Sequence, residues 1–349
     1  MSEAAATGAT APAPPPIPYA QFRAMLSDPQ VPDQEIARYL TGDPAVSGPF
    51  APALRPDPAR VVMPPAAELA TRGAAGMAVM NDIARWRRRK RFEAAPPGDP
   101  RPVVLAEGDS WFQFPMLIQD VVDHLEPGFR VRCLSAGGDT LRNMVVDNPE
   151  YLEVLEAGAL PGLRAFIFSG AGNDFLGEDE EGESLLAQVV EPFTPGLSAE
   201  GHIATPAFRE RFDFVREALS ALLAKVREAH PGLRVVLHGY DYIIPFGGPR
   251  ESRPRTVYAR QDQWIAGPLL EHRGIRDHAL QQQIVVALVD KLNGLIASLC
   301  GGNTAGGLFP FAFHADLRGT LHHPSDYADE LHPTDAGFAQ AAAKIAALL

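Results

Sequence analysis

The chain has 349 residues, more than the ~250 to 300 at which one core usually stops growing, so its length fits one large domain with appendages or two medium ones. Hydrophobic residues make up 46% and charged residues 21%, which excludes a fibrous or wholly disordered chain. A formal net charge of −12 disfavours nucleic acid and anionic membrane surfaces as partners and leaves a neutral or cationic small molecule as the easier substrate.

Residues 1–18 are mostly Ala, Pro and Thr, with too little apolar surface to offset the entropy of ordering, so a flexible tail is expected there. They lack the basic start and apolar run of a secretion signal, and no apolar stretch of the chain approaches the ~20 residues that span a bilayer. A cytoplasmic protein with no membrane span is the expectation. From Tyr19 to about Val62, the helical patterns PYAQFRAML and PDQEIARYL alternate with Pro-rich connectors. A second helical stretch, from about Pro65 to Phe92, ends in RWRRRKRF. Residues 19–100 therefore read as a helical extension and linker. The basic run Arg85, Arg87, Arg88, Arg89, Lys90 and Arg91 is a candidate contact for an acidic partner, but it reads better as a solvated helix end favoured by the helix dipole.

Residues 101–349 alternate β-rich runs with amphipathic helical patterns, the signature of an α/β domain on a parallel sheet. Five strands are predicted: Val103 to Glu107, Arg130 to Ser135, Ala165 to Ser169, Arg234 to His238 and Pro310 to Asp316. They suffice for a three-layer α/β/α, flavodoxin-like fold. Apolar residues recur at helical spacing in Phe208, Phe212, Val215, Leu219, Leu222 and Val226, in Leu280, Ile284, Leu288, Leu292, Leu295 and Leu299, and in Phe338, Ala341, Ala342, Ile345 and Leu348. These stripes are read as core-facing, with no ligand attached. Two insertions, near 177–205 and 239–277, follow predicted strands and so fall at the sheet's C-terminal edge, where open α/β folds bind ligands. Cys133 and Cys300, too distant for a disulfide framework, read as ordinary buried thiols.

Four short segments carry chemistry. The first strand runs into Gly108-Asp109-Ser110, which exposes a serine just before a helix; the same tripeptide also suits an ordinary turn. The second ends in Gly137-Gly138-Asp139-Thr140, where backbone approaches something closely or turns tightly. The third ends in Gly172-Asn173-Asp174. Near the C-terminus, Asp329 precedes His332 by three residues, a spacing at which the carboxylate can hold one imidazole nitrogen and fix the tautomer of the other. No His or Cys is paired with His332 at ligand spacing, so a metal is the weaker reading. His238, at the end of the fourth strand, is the rival histidine, although a strand-end His bonded to backbone is the plainer account of it.

All four segments follow elements of one parallel α/β pattern and converge on one edge. Together the GDS at Ser110, the GGDT at Gly138, the GAGND at Asn173 and the DELH of Asp329 and His332 resemble the conserved blocks of the SGNH (GDSL-type) hydrolase superfamily, from about Val103 to the C-terminus. The GDSWF form of the first block looks like a bacterial subgroup. The resemblance implies Ser110 as nucleophile, His332 as its base and Asp329 as the orienting acid. It also implies an oxyanion hole from Ser110, Gly138 and Asn173, with Gly137 as the neighbouring alternative to Gly138. Trp111, Asp174 and Tyr240 are the candidate substrate contacts. The implied activity is hydrolysis of a small-molecule ester or an acetylated glycan through an acyl-serine, with no cofactor. Two alternatives remain open: an O-acyltransferase using the same acyl-serine, and a binding or scaffold protein that keeps the fold.

Overall fold

Five runs rich in Val, Leu, Ile and Phe form the central sheet in the computed structural model, which describes residues 14–43, 53–64, 77–179, 181–253 and 262–349. They are β1 (Val103–Gly108), β2 (Arg130–Cys133), β3 (Leu163–Ser169), β4 (Arg234–His238) and β5 (Ala312–Ala315). All pairings are parallel, in the order β2-β1-β3-β4-β5, and helices cover the sheet to give the expected three-layer α/β/α fold. Every residue of β1 is buried, as a strand covered on both faces requires. Predicted and observed strands differ at their ends. The second stops at Cys133, although Leu134 and Ala136 still donate to the Ala106 and Gly108 carbonyls, and the fifth loses Pro310, which has no N–H to give.

Register is what positions the site. Gly108 lies opposite Ser169, Ser169 opposite His238, and His238 opposite Ala315. The C-terminal ends of four strands are therefore level, and the segments that follow them emerge side by side.

Four long helices matter below: α1 (Met77–Glu93), α2 (Pro206–Ala229), α3 (His278–Leu299) and α4 (Asp335–Ala346). Side-chain oxygens start three of them. Thr205 accepts from Phe208 N–H with Pro206 in the first turn, Asp277 accepts from Ala279 N–H, and Thr334 accepts from Gly337 N–H. Their apolar stripes face the core as expected, with Val215, Leu219, Leu222 and Val226 of α2 and Phe338 of α4 fully buried. Cys133 and Cys300 are both buried and free. Among the described residues, no helix is long and apolar enough to cross a membrane.

Two expectations for the N-terminal segment need correction. Residues 1–13 of the expected tail lie outside the described residues, but Ile17–Pro18 pairs in parallel with Val61–Val62, and Ile17 is buried because that pairing turns it into the core. Ile17, Phe22, Ile36, Leu54 and Val61 belong to the same apolar cluster as the sheet residues, so the extension shares the main core. The stretch 65–76 lies outside the described residues, and the described part of the expected helix is Met77–Glu93.

The basic run is the second correction, because it is not simply a solvated helix end. Arg87 is fully buried: it pairs with Asp33 at 2.8 Å and donates to the Met25, Leu26, Asp28 and Val31 carbonyls, closing the turn between two N-terminal helices. Arg88 grips Asp120 through two bonds of 2.7 and 2.8 Å and donates to Phe112 O at 2.6 Å. Asp120 in turn accepts from Phe114, Val122 and Asp123 N–H groups and caps the helix Val121–Leu125. Arg89 and Lys90 remain exposed, as a helix end should.

Arg88→Ala strips the counter-ion from a fully buried Asp120, and losing one partner of such a pair typically costs about 3 to 5 kcal/mol. Urea unfolding of the variant is expected to show a loss of that order, whereas an unchanged midpoint would mean that Asp120 carries no charge in the folded protein.

Candidate functional site

Ser110 follows β1 in a tight turn in which Phe112 and Gln113 N–H groups both donate to Asp109 O. Its hydroxyl lies 2.8 Å from His332 Nε2. The other imidazole nitrogen, Nδ1, is 2.8 and 3.0 Å from the two carboxylate oxygens of Asp329. Asp329 is fully buried, and its Oδ1 also accepts the Leu331 and His332 N–H groups, each at 2.8 Å. Burial works to raise its pKa, but the His332 charge and these bonds outweigh it and hold the carboxyl below its ordinary value. The Phe114 ring lies 4.5 Å from the imidazole, centroid to centroid, and Trp264 packs edge-on at 6.2 Å. A hydroxyl donating to an imidazole whose far nitrogen is held by a buried carboxylate is the arrangement that activates a serine.

Opposite the histidine, the segment after β2 runs beside β1, because Ala136 N–H donates to Gly108 O. Gly138 has φ +83°, so a side chain there would be strained. Among the described residues, neither the Ser110 nor the Gly138 N–H donates to any protein group, whereas the Gly137 N–H is taken by Asn81 Oδ1 at 2.8 Å. That separates the two glycines, since only Gly138 keeps a free donor. Asn173 Nδ2 donates one hydrogen to Asp139 O at 2.7 Å, which fixes the amide against the same loop.

The three candidate substrate contacts divide. Trp111 and Tyr240 line a cavity beside Ser110, with their rings packed edge to face at 5.3 Å. Tyr240, at φ +63°, accepts from Gly172 N–H and donates its hydroxyl to buried Asp109. Asp174, expected as a substrate contact, is not among the residues that line the cavity. Its carboxylate turns away to accept Leu141 N–H at 3.0 Å, and burial pushes it up to about 6. His238 is bonded to backbone, with Nδ1 accepting the Tyr240 N–H at 3.3 Å, and burial pushes it down to about 3. It makes no bond to Ser110.

The cavity walls were not legible. Phe175, Leu176, Phe208, Phe212, Ile243, Val285, Leu288, Val289, Leu292 and Leu331 line it with the site residues. Phe208, Phe212, Leu288 and Leu292 come from stripes that pack in or against the core as expected and also line the cavity, which helical periodicity could not have shown, since a face turned to a pocket and one turned to a core look alike. Of the two insertions, the second contributes Tyr240 and Ile243, while no residue of 177–205 lines the cavity and residue 180 lies outside the description.

Glu330 was also missed, although it sits between Asp329 and His332. Its fully buried carboxylate accepts four backbone N–H groups from the second insertion, Phe246 and Ala266 on Oε1 and Trp264 and Ile265 on Oε2, at 2.8 to 3.0 Å. Residues 254–261 of that insertion lie outside the description.

No family model and no curated protein matches this sequence. Solved structures that it resembles include phospholipase A1 from Streptomyces albidoflavus NA297, at 15% identity over 71% of this chain and 100% of that one, with a TM-score of 0.44. An extracellular lipase from Streptomyces rimosus matches at 14% identity over 71% and 100%, TM-score 0.41. The lipase Lip_vut3 from a goat rumen metagenome matches at 14% over 71% and 97%, TM-score 0.41. These are distant likenesses to lipases and esterases, and no activity follows from them.

Burial pushes the Glu330 carboxyl up to about 7, against the four donors that pull it down. Because the folded value exceeds the 4.5 of an unperturbed glutamate, the stabilisation it gives is complete below pH 4.5 and is lost as pH rises through about 7. The loss is on the order of 3 kcal/mol. Melting temperatures between about pH 5 and 8 should therefore fall more steeply for the wild type than for Glu330→Gln; parallel curves would remove Glu330 as the source.

Proposed function

We propose that this protein is a serine-dependent carboxylic ester hydrolase of the SGNH type. The observation that carries the reading is the hydrogen-bonded line Ser110 Oγ to His332 Nε2, and His332 Nδ1 to buried Asp329. Ser110 attacks the ester carbonyl carbon while His332 takes the hydroxyl proton. The tetrahedral oxyanion is received by the Ser110 and Gly138 N–H groups and the remaining Asn173 amide hydrogen. As the C–O bond to the alcohol breaks, His332 gives its proton to the leaving oxygen, and an acyl-serine remains. Water, deprotonated by His332, then attacks the acyl carbon, and the carboxylic acid leaves as Ser110 recovers its proton. Asp329 keeps the imidazole in the tautomer with hydrogen on Nδ1 and steadies the imidazolium.

The cavity beside Ser110 supports a narrower substrate class than the motifs did. Its walls are aromatic and aliphatic, and its acidic member, Asp109, is occupied by Tyr240, Ser169 and Trp111. An acyl chain gains by burial against such walls at about 0.8 kcal/mol per CH₂, whereas a sugar would leave its hydroxyls unpaired there. The acyl group is therefore aliphatic and longer than acetyl, which replaces the acetylated glycan as the preferred substrate.

p-Nitrophenyl acetate, butyrate and octanoate, offered to wild type and Ser110→Ala, test this directly. The wild type should turn over butyrate and octanoate with higher kcat/KM than acetate, and the variant should lose activity on the order of 10⁶-fold. A fluorophosphonate should label Ser110, as read by peptide mass spectrometry. No turnover and no label would sink the hydrolase reading, and a preference for acetate would sink the acyl-pocket assignment alone.

A further inference from the structure

Asn81 reaches the site from α1, outside the segment that carries the motifs. Its side chain is buried and makes two opposed bonds to one residue: Nδ2 donates to Gly137 O at 2.9 Å, and Oδ1 accepts Gly137 N–H at 2.8 Å. A primary amide bonded in this way satisfies both backbone polar groups of one residue, as a strand partner would, and fixes the backbone on either side. The approach leaves little room for a side chain at residue 137. A Cβ on residue 137 would lie 3.1 Å from Gln113 O, 3.3 Å from Met77 Sδ and 3.5 Å from Asn81 Oδ1. Gln113, in the turn after Ser110, is itself turned toward Asn81, with Nε2 at 3.4 Å from its Oδ1 and its carbonyl.

The helix that carries Asn81 is anchored independently. Two turns along, Arg88 holds Phe112 O and the Asp120 carboxylate, so α1 is fastened to the segment that follows Ser110. A further fastening, through Asn81, is Gly137. The loops after β1 and β2, which supply the Ser110 and Gly138 N–H groups, are thus tied to one rigid element, and their spacing is set by it.

We infer that Asn81 is a positioning residue: it occupies the Gly137 N–H and carbonyl, and so fixes the adjoining Gly138 with its free N–H beside Ser110 as an oxyanion donor. The N-terminal segment then completes the site. The inference rests on the ester-hydrolase reading above. Its consequence is specific to the transition state, because a donor aimed at the developing oxyanion contributes to kcat more than to substrate binding.

Asn81→Ala, Asn81→Asp and Gly137→Ala test it from both sides of the contact, each measured on p-nitrophenyl butyrate with the active fraction fixed by fluorophosphonate titration. Losing one oxyanion donor outright costs ~10²- to 10³-fold, so a displaced one should lower kcat by about 10-fold or more. KM should stay within about threefold of wild type, and affinity for butylboronic acid, whose serine adduct is tetrahedral, should fall in parallel with kcat. Asn81→Asp keeps an acceptor for Gly137 N–H but loses the donor, so it should fall between wild type and Asn81→Ala; it also decides the matter if the alanine variant does not fold. A titrated Asn81 variant with wild-type kcat overturns the inference, as does a loss confined to melting temperature and active fraction. An inactive, unlabelled wild type overturns the parent reading and this one with it, whereas an active wild type with indifferent variants overturns only this one.

Discussion

The 2.8 Å contact between Ser110 and His332 joins residues 222 positions apart, and it lasts only if two loops on separate elements keep their distance to within a fraction of an ångström. A serine hydroxyl and an imidazole contribute little to that precision themselves, since one neutral hydrogen bond is worth about 1 kcal/mol net. The precision comes from what lies beneath. Level strand ends bring Gly108, Ser169 and His238 to one edge. From there Asp109 accepts the Ser169 hydroxyl and the Tyr240 phenol, and ties the turn before the serine to the ends of β3 and β4. On the histidine side, Asp329 collects two backbone N–H groups of its own turn as well as the imidazole, so the ring and the loop that carries it are set by one carboxylate.

Buried carboxyl groups recur as the fastening device. Asp109, Asp120, Asp329 and Glu330 are all nearly or wholly inaccessible; Asp109, Asp120 and Glu330 draw donors from segments distant in sequence, and Asp329 draws them from its own turn. A buried carboxylate without donors costs several kcal/mol, so each such group penalises every arrangement of the loops except the one that completes it. An apolar contact of equal area would tolerate sliding. At a site where two loops must meet in one geometry, directional groups are therefore worth more than their net contribution to stability suggests.

The fold was legible because its signals are local. Strands such as Val103 to Gly108 are short, mostly apolar runs, and helices α2, α3 and α4 carry apolar stripes with side-chain caps, so element type and order follow without tertiary information. The candidate site residues were legible for related reasons: Ser110 falls just after β1 at the edge where a parallel sheet gathers its loops, and Asp329 and His332 stand at a three-residue spacing. What escaped the sequence was settled by partners elsewhere in the chain. Nothing in RWRRRKRF distinguishes Arg88, buried on Asp120, from the exposed Lys90 two residues on. Asn81 is an ordinary polar residue beside Asp82 in MAVMNDIA, and its bonding partner is a glycine 56 residues away. Asp174 looked like a site residue because it follows Asn173, yet successive residues in a helical turn point about 100° apart, and Asp174 points toward Leu141.

The cavity walls show a further consequence of building a site from a core. Phe208 and Leu292 are almost wholly buried, pack within the main apolar cluster and also line the space beside Ser110. One side of each ring or branch supports the sheet and the other meets whatever enters the cavity. A change that widens the cavity removes contacts from both and so costs packing energy, typically about 2 to 5 kcal/mol for a large aliphatic side chain cut to alanine. Leu288 and Phe212 are only partly buried against that cluster and have less core packing to lose. The shape of the cavity is therefore freest to vary at the half-buried positions of α2 and α3, while the fully buried ones are held by the packing they complete.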